Sequence, residues 1–107
     1  RIQGRSAKEA NILLEDALAL QDAGALAVVL ELLPEELAAK ITDRISVPTI
    51  VICAGPYCSG QVQVWHDLLG LSLAFTPKHA RQYADLAGNI RSALKRFVDD
   101  VKSKNFC

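Results

Sequence analysis

Glu31 ends the apolar run Leu26-Ala27-Val28-Val29-Leu30, and a carboxylate at the carboxyl end of such a run is a candidate general base. Strand alternation sets Glu31 on the side of Ala27 and Val29, with Val28 and Leu30 turned toward covering helices. A carboxylate in a partly apolar pocket loses hydration, which makes it the better proton acceptor. The same residue type at the same place also serves to cap the following helix or simply to face solvent. The residues alone leave both readings open.

A second cluster comes after the apolar run from Pro48 to Cys53, in the loop Ala54-Gly55-Pro56-Tyr57-Cys58-Ser59-Gly60. Glycines before a helix can present backbone amides to a phosphate or carboxylate. They also serve tight turns that need glycine's backbone freedom, and the spacing here fits no nucleotide motif, which favours the turn. His66 and Asp67 are adjacent, and neighbours in sequence rarely aim at one target, so capping by Asp67 and a hydrogen-bonded His66 are expected rather than paired acid-base chemistry. His79 reads as a surface residue. Trp65, with Val62 and Val64, reads as core or subunit contact before it reads as a stacking platform. Cys53, Cys58 and Cys107 are odd in number and stand at no zinc spacing, so reduced thiols are expected and no metal ligand is assigned.

The elements that must position these groups alternate along the chain. Ser6-Ala7-Lys8-Glu9 forms a capping box before a helix from about Ala7 to Ala23, which Gly24 ends. A strand through Leu26 to Glu31 comes next. Pro34, Glu35 and Glu36 then start a helix whose apolar stripe is Leu37, Ile41 and Ile45. Pro48 opens a second strand, Thr49 to Cys53. Helix, strand, helix, strand implies a parallel sheet with crossover helices. Farther on, Thr76-Pro77 is expected to cap a helix to about Leu86 and Gly88 to break it. Ile90, Leu94, Phe97 and Val101 then line one side of a final helix.

Composition narrows the classes of function. The 107 residues amount to a single domain at most, and 50% hydrophobic with 22% charged residues is ordinary for a globular protein. Twelve basic and twelve acidic residues balance, so no long-range field favours nucleic acid or an anionic membrane, and neither partner is expected. Lys78, Arg81, Arg91, Lys95, Arg96, Lys102 and Lys104 are interleaved with Asp85, Asp99 and Asp100, as on a solvated helix face. No apolar run approaches the roughly 18 to 20 residues of a membrane span. The chain reads as intracellular. It starts at Arg1 and contains no methionine, so a longer product is expected.

The string Ile50 to Gly70, with Ile2-Gln3-Gly4-Arg5 and Val28-Val29-Leu30-Glu31-Leu32-Leu33-Pro34 before it, resembles ketopantoate hydroxymethyltransferase. The resemblance runs on through Thr76-Pro77-Lys78 and Gln82-Tyr83-Ala84 to Asn105-Phe106, and it corresponds to the C-terminal part of that enzyme. It implies an α/β fold: the last part of a (β/α)₈ TIM-type barrel, here two parallel strands with crossover helices over residues 1–75, followed by C-terminal helices over 76–107. Such barrels usually take about 250 residues. Two strands alone leave unpaired edges, so the sheet must be completed by another segment, another copy or a rearrangement.

The resemblance also implies a chemistry. The glutamate matching Glu31 takes a proton from C3 of α-ketoisovalerate. The enolate then attacks the methylene carbon delivered by 5,10-methylenetetrahydrofolate, giving ketopantoate for pantothenate synthesis. The implied Mg²⁺ site and the substrate-binding lysine belong to the N-terminal half of the family's barrel, and no residue here is assigned to the metal or the folate. A homo-oligomer, a decamer in the family, is implied, with the Ile90 to Val101 stripe packing between subunits. The implied compartment is cytoplasmic, or mitochondrial in a plant or fungal source. Ser59 stands where bacterial members usually have aspartate, and Pro56-Tyr57-Cys58-Ser59-Gly60 is more similar to plant and fungal members, a departure of lineage more than of lost function.

Two departures oppose an active site. Val51 and Cys53 replace glycines of the family's Gly-Ile-Gly-Ala-Gly, and with Thr49 they are expected on the barrel's inner face, where overpacking costs about 1 to 3 kcal/mol. With the missing metal site they motivate a second reading, a non-catalytic truncated relative that acts as an oligomeric module. A third, an aldol-type enzyme of the phosphoenolpyruvate mutase and isocitrate lyase group, is weaker because those enzymes use other signature loops. The 107 residues by themselves are expected to be inactive.

Overall fold

A computed structural model describes residues 1–72 and 80–107. Its contacts form two compact units, Arg1–Val62 and Gln63–Cys107. The division expected between residues 75 and 76 lies outside the described residues, as do Thr76, Pro77, Lys78 and His79.

The first unit is a small parallel α/β assembly. Helix α1 spans Ala7–Asp22, and the Ser6 hydroxyl accepts a hydrogen bond from the Glu9 amide, which is half of the expected capping box. Strand β1 covers Val28–Glu31, helix α2 Glu35–Arg44, strand β2 Thr49–Ile52 and strand β3 Gly60–Gln61. The sheet order is β1-β2-β3, parallel throughout, with Val28 opposite Thr49 and Ile50 opposite Gly60.

Three details differ from expectation. Pro34 sits at the N-cap of α2 rather than inside its first turn, since its ψ of 143° is extended. The strand β3 is not expected from a glycine and a glutamine with no apolar run of their own, so the sheet has three strands rather than two. Finally, β2 stops at Ile52 because Cys53 turns into the left-handed region, with φ of 57°.

One face of the sheet is covered. Val28, Leu30 and Val51 pack with Leu14 and Ala17 of α1 and Leu37, Ala38 and Ile41 of α2 into a single buried cluster. At about 25 cal/mol per Å² of apolar surface, burying such side chains is the main favourable term in holding the unit together. The Gln21 side-chain carbonyl ties α1 to the turn before β2, accepting from the amides of Ser46 and Val47.

The second unit contains α3, Trp65–Leu69, and α4, Leu86–Lys102. Residues 80–85 are not helical, and Gly88 lies inside the first turn of α4 instead of breaking a helix. The cause is Asp85, whose carboxylate caps the helix by accepting from the Gly88 amide at 3.1 Å. A Cβ at Gly88 would run into that same carboxylate. Val64 is the N-cap of α3, so Asp67 stands in the first turn, not at the cap expected for it. Gly70 closes α3 with a φ of 66°.

Candidate active site

Glu31 is the last residue of β1, and its pairing with Ile52 places both at the carboxyl edge of the sheet. Burial along β1 alternates, with Val28 and Leu30 buried and Val29 and Glu31 exposed. Glu31 therefore projects from the face that the helices leave open, as alternation predicts. Register carries Ile50 and Ile52 of β2 to that open face. The neighbours of Glu31 across and along the sheet are thus aliphatic, but the described residues do not enclose it.

Register also corrects the expectation for Val51 and Cys53. Val51 pairs with Leu30 and is fully buried, on the helix-covered face. It cannot narrow a pocket on the side of Glu31. Cys53 has left the strand altogether, so the expected shared face of Thr49, Val51 and Cys53 holds only for the first two. Thr49 is buried against the helices too.

The loop over residues 53–59 has only its start at the edge of Glu31. Gly55 takes a φ of 85°, with the Glu35 side chain against the position of a Cβ and at 3.0 Å from it at two further atoms. Its carbonyl accepts from the Gln61 side chain at 2.9 Å. The chain then returns to the amino edge, where the Thr49 amide donates to the Ser59 hydroxyl at 3.1 Å and the Ser59 amide donates to the Thr49 hydroxyl at 3.3 Å. Ser59 is thus a fastening at the opposite end of the strands from Glu31. Gly60 opens β3 and not a helix, which favours the turn reading of the glycines over the anion cradle.

Thr42 completes that fastening. Its hydroxyl lies 2.8 Å from both the Ala38 carbonyl and the Thr49 hydroxyl. With one proton on each hydroxyl, the Ser59 amide donates to Thr49, Thr49 to Thr42, and Thr42 to Ala38. The Cys58 sulfur stands 3.2 Å from Thr42, on the same chain of bonds. Thr49 is the available signal in the sequence: a hydroxyl in an otherwise apolar buried strand requires a partner.

Other candidates lie elsewhere. His66 is exposed and Asp67 half-buried on α3. Trp65 is 64% exposed, so of the two expected readings, core or subunit contact, the core one fails within this chain. An open groove of about 700 Å³ on the outer side of α2 is lined by Glu35, Glu36, Ala39, Lys40, Asp43, Arg44 and Tyr57, away from Glu31. Its mixed charges mark a solvated helix face. Among the described residues no group of three or more His, Cys, Asp or Glu stands together as metal ligands, and so these residues do not fit a Mg²⁺ site.

A family profile described as ketopantoate hydroxymethyltransferase matches residues 1–107. The chain belongs to the ketopantoate hydroxymethyltransferase family. The 3-methyl-2-oxobutanoate hydroxymethyltransferase of Chloroflexus aggregans is 62% identical over 106 residues, covering 99% of this chain and 38% of the relative. The enzymes of the same name from Gluconacetobacter diazotrophicus and Thermosipho melanesiensis are 54% and 48% identical, over 99% of this chain and 38% and 40% of their own lengths. The chain thus spans about two fifths of the ketopantoate hydroxymethyltransferases it matches.

Proposed function

We propose that this chain is the C-terminal part of a 3-methyl-2-oxobutanoate hydroxymethyltransferase, and that Glu31 is its catalytic base. The observation that carries the reading is the place of Glu31: it ends a parallel strand on the uncovered face of the sheet, in a chain that matches the family over its whole length. Sites of parallel barrels lie at the carboxyl ends of their strands. The open face with Val29, Ile50 and Ile52 is then the inner side of a (β/α)₈ barrel, whose remaining strands come from the rest of the protein.

In that setting the Glu31 carboxylate takes a proton from C3 of α-ketoisovalerate, and the carbanion so formed attacks the methylene carbon supplied by 5,10-methylenetetrahydrofolate. The product is ketopantoate. The aliphatic neighbours on the open face exclude water from the carboxylate once the barrel closes over them, favouring proton abstraction. Mg²⁺, which the family resemblance implies, has its ligands outside the described residues. A homo-oligomer inside the cell fits this reading, and no described helix is long and apolar enough to cross a membrane.

The alternative of a non-catalytic truncated relative is not favoured. Val51, Cys53 and the missing metal site motivate it, and of these Val51 packs on the other face and Cys53 leaves the strand. Identities of up to 62% to named enzymes also favour the transferase.

The test is a methylenetetrahydrofolate-dependent ketopantoate assay with Mg²⁺ on the full-length protein and its Glu31→Gln variant. Loss of a general base lowers kcat by about 10²- to 10⁴-fold. A variant that keeps the wild-type kcat removes Glu31 from the reaction.

A further inference from the structure

We propose that Leu32 is a positioning residue, held in a left-handed conformation so that Glu31 is aimed from the open face at the carboxyl end of the sheet; the inference rests on the reading of Glu31 as the base. Leu32 has a φ of 52°, a region that non-glycine residues rarely occupy and that bulky ones occupy only under constraint. Two different segments supply the constraint. The Leu32 amide donates to the Ile52 carbonyl at 3.2 Å, which extends the β1–β2 ladder by one residue, and the Leu32 carbonyl accepts from the Gln3 amide at 2.9 Å.

Gln3 reaches Leu32 because of its neighbour. Gly4 is buried with a φ of 76°, and a Cβ there would stand 2.5 Å from Leu37 Cδ2 and 2.9 Å from Leu13 Cδ1. Only a glycine lets the amino-terminal stretch of chain lie this close to α1 and α2. The motif Ile2-Gln3-Gly4 thereby has a physical task, to pin the residue after the base. Pro34, with φ of −58°, fixes the direction of the chain from the other side.

These bonds set the direction of Glu31. Its backbone is held in the ladder on one side and succeeded by a turn that cannot relax without breaking a bond to Ile52 or to Gln3. Strain kept in place by its surroundings at the end of a strand is a known way to fix a reacting group. Cys53, with φ of 57°, occupies the next place in register on β2 and turns in the same way, so both strands bend at the same level.

The test is a series at position 32 in the full-length protein, ordered by tolerance of the left-handed region. Leu32→Gly and Leu32→Asn keep that conformation and should hold kcat within about threefold, whereas Leu32→Val cannot adopt it and should lose about tenfold or more at little changed KM, because misplacement costs rate steeply. Faster exchange of the Gln3 amide in Leu32→Val is expected alongside. In a Glu31→Gln background the Leu32→Val change should cost nothing further, since both act through one carboxylate.

Equal kcat for the Val and Gly variants, or an additional loss in the Glu31→Gln background, overturns the proposal. If Leu32→Val does not fold, Leu32→Ala against Leu32→Gly makes the same comparison, and equal rates there overturn it too. A Glu31→Gln variant with normal kcat sinks the reading of the base, whereas loss in Glu31→Gln with normal Leu32→Val sinks the positioning role alone.

Discussion

Helices α2 and α4 both carry apolar stripes at helical spacing, yet α2 buries Leu37, Ala38 and Ile41 inside its own unit and α4 buries none of its residues. The difference lies in what each unit offers. Residues Arg1–Val62 supply a sheet face and a second helix, so the stripe of α2 meets Val28, Leu30 and Val51. Residues Gln63–Cys107 contain no strand among their described residues, and Ile90, Leu94, Phe97 and Val101 remain exposed, with Phe97 meeting the ring of Phe106 edge-on at 5.2 Å. A stripe states which side of a helix is apolar. It does not state what covers that side.

Paired substitutions break or sharpen this comparison. Ile41→Ala in α2 removes a side chain with no exposed surface and should lower the unfolding free energy of the chain by about 2 to 5 kcal/mol, by transfer and cavity terms together. Leu94→Ala in α4, 60% exposed, should stay within about 0.5 kcal/mol. Equal losses in urea unfolding would erase the distinction between the units. A large loss for Leu94→Ala only in the full-length protein would show that the rest of the molecule covers α4.

Smaller effects separate the two edges of the sheet. Thr49→Val keeps the shape but leaves the Ser59 amide without its acceptor, and should cost about 1 to 3 kcal/mol. Because this fastening is at the amino edge, kcat of the full-length protein should stay near wild type, and a rate loss as large as that of Glu31→Gln would contradict the division of tasks. Smaller than the Thr49 effect are those of the caps. Ser6→Ala and Asp85→Ala each remove a side-chain acceptor worth about 1 kcal/mol. For packed α1 the loss should appear as a lower unfolding midpoint. For α4 it should appear as lost helical signal in circular dichroism, because none of the residues of α4 is buried.

Local chemistry was legible wherever neighbours in sequence decide the outcome. The Ser6 cap, the end of α1 near Gly24, the alternation of β1 and the stripe of α2 all arise from residues within a few positions of one another. Gly88 shows the limit of that reasoning: read as a breaker, it is a first-turn residue because Asp85, three positions earlier, caps the helix. The strand β3 was illegible for a different reason. Gly60 and Gln61 have no strand preference and pair only because β2 presents an open edge to them.

By itself, then, the sequence determined the family, the order of α1, β1, α2 and β2 and the side of β1 on which Glu31 stands, because periodicity and a string of motifs are properties of the chain. Tertiary structure alone decided the register that sends Val51 to the helices and Ile52 to the side of Glu31. A shift by one residue would have exchanged them. It also decided the left-handed turn at Leu32. No local preference favours that conformation in a leucine, and two hydrogen bonds from distant segments are what hold it.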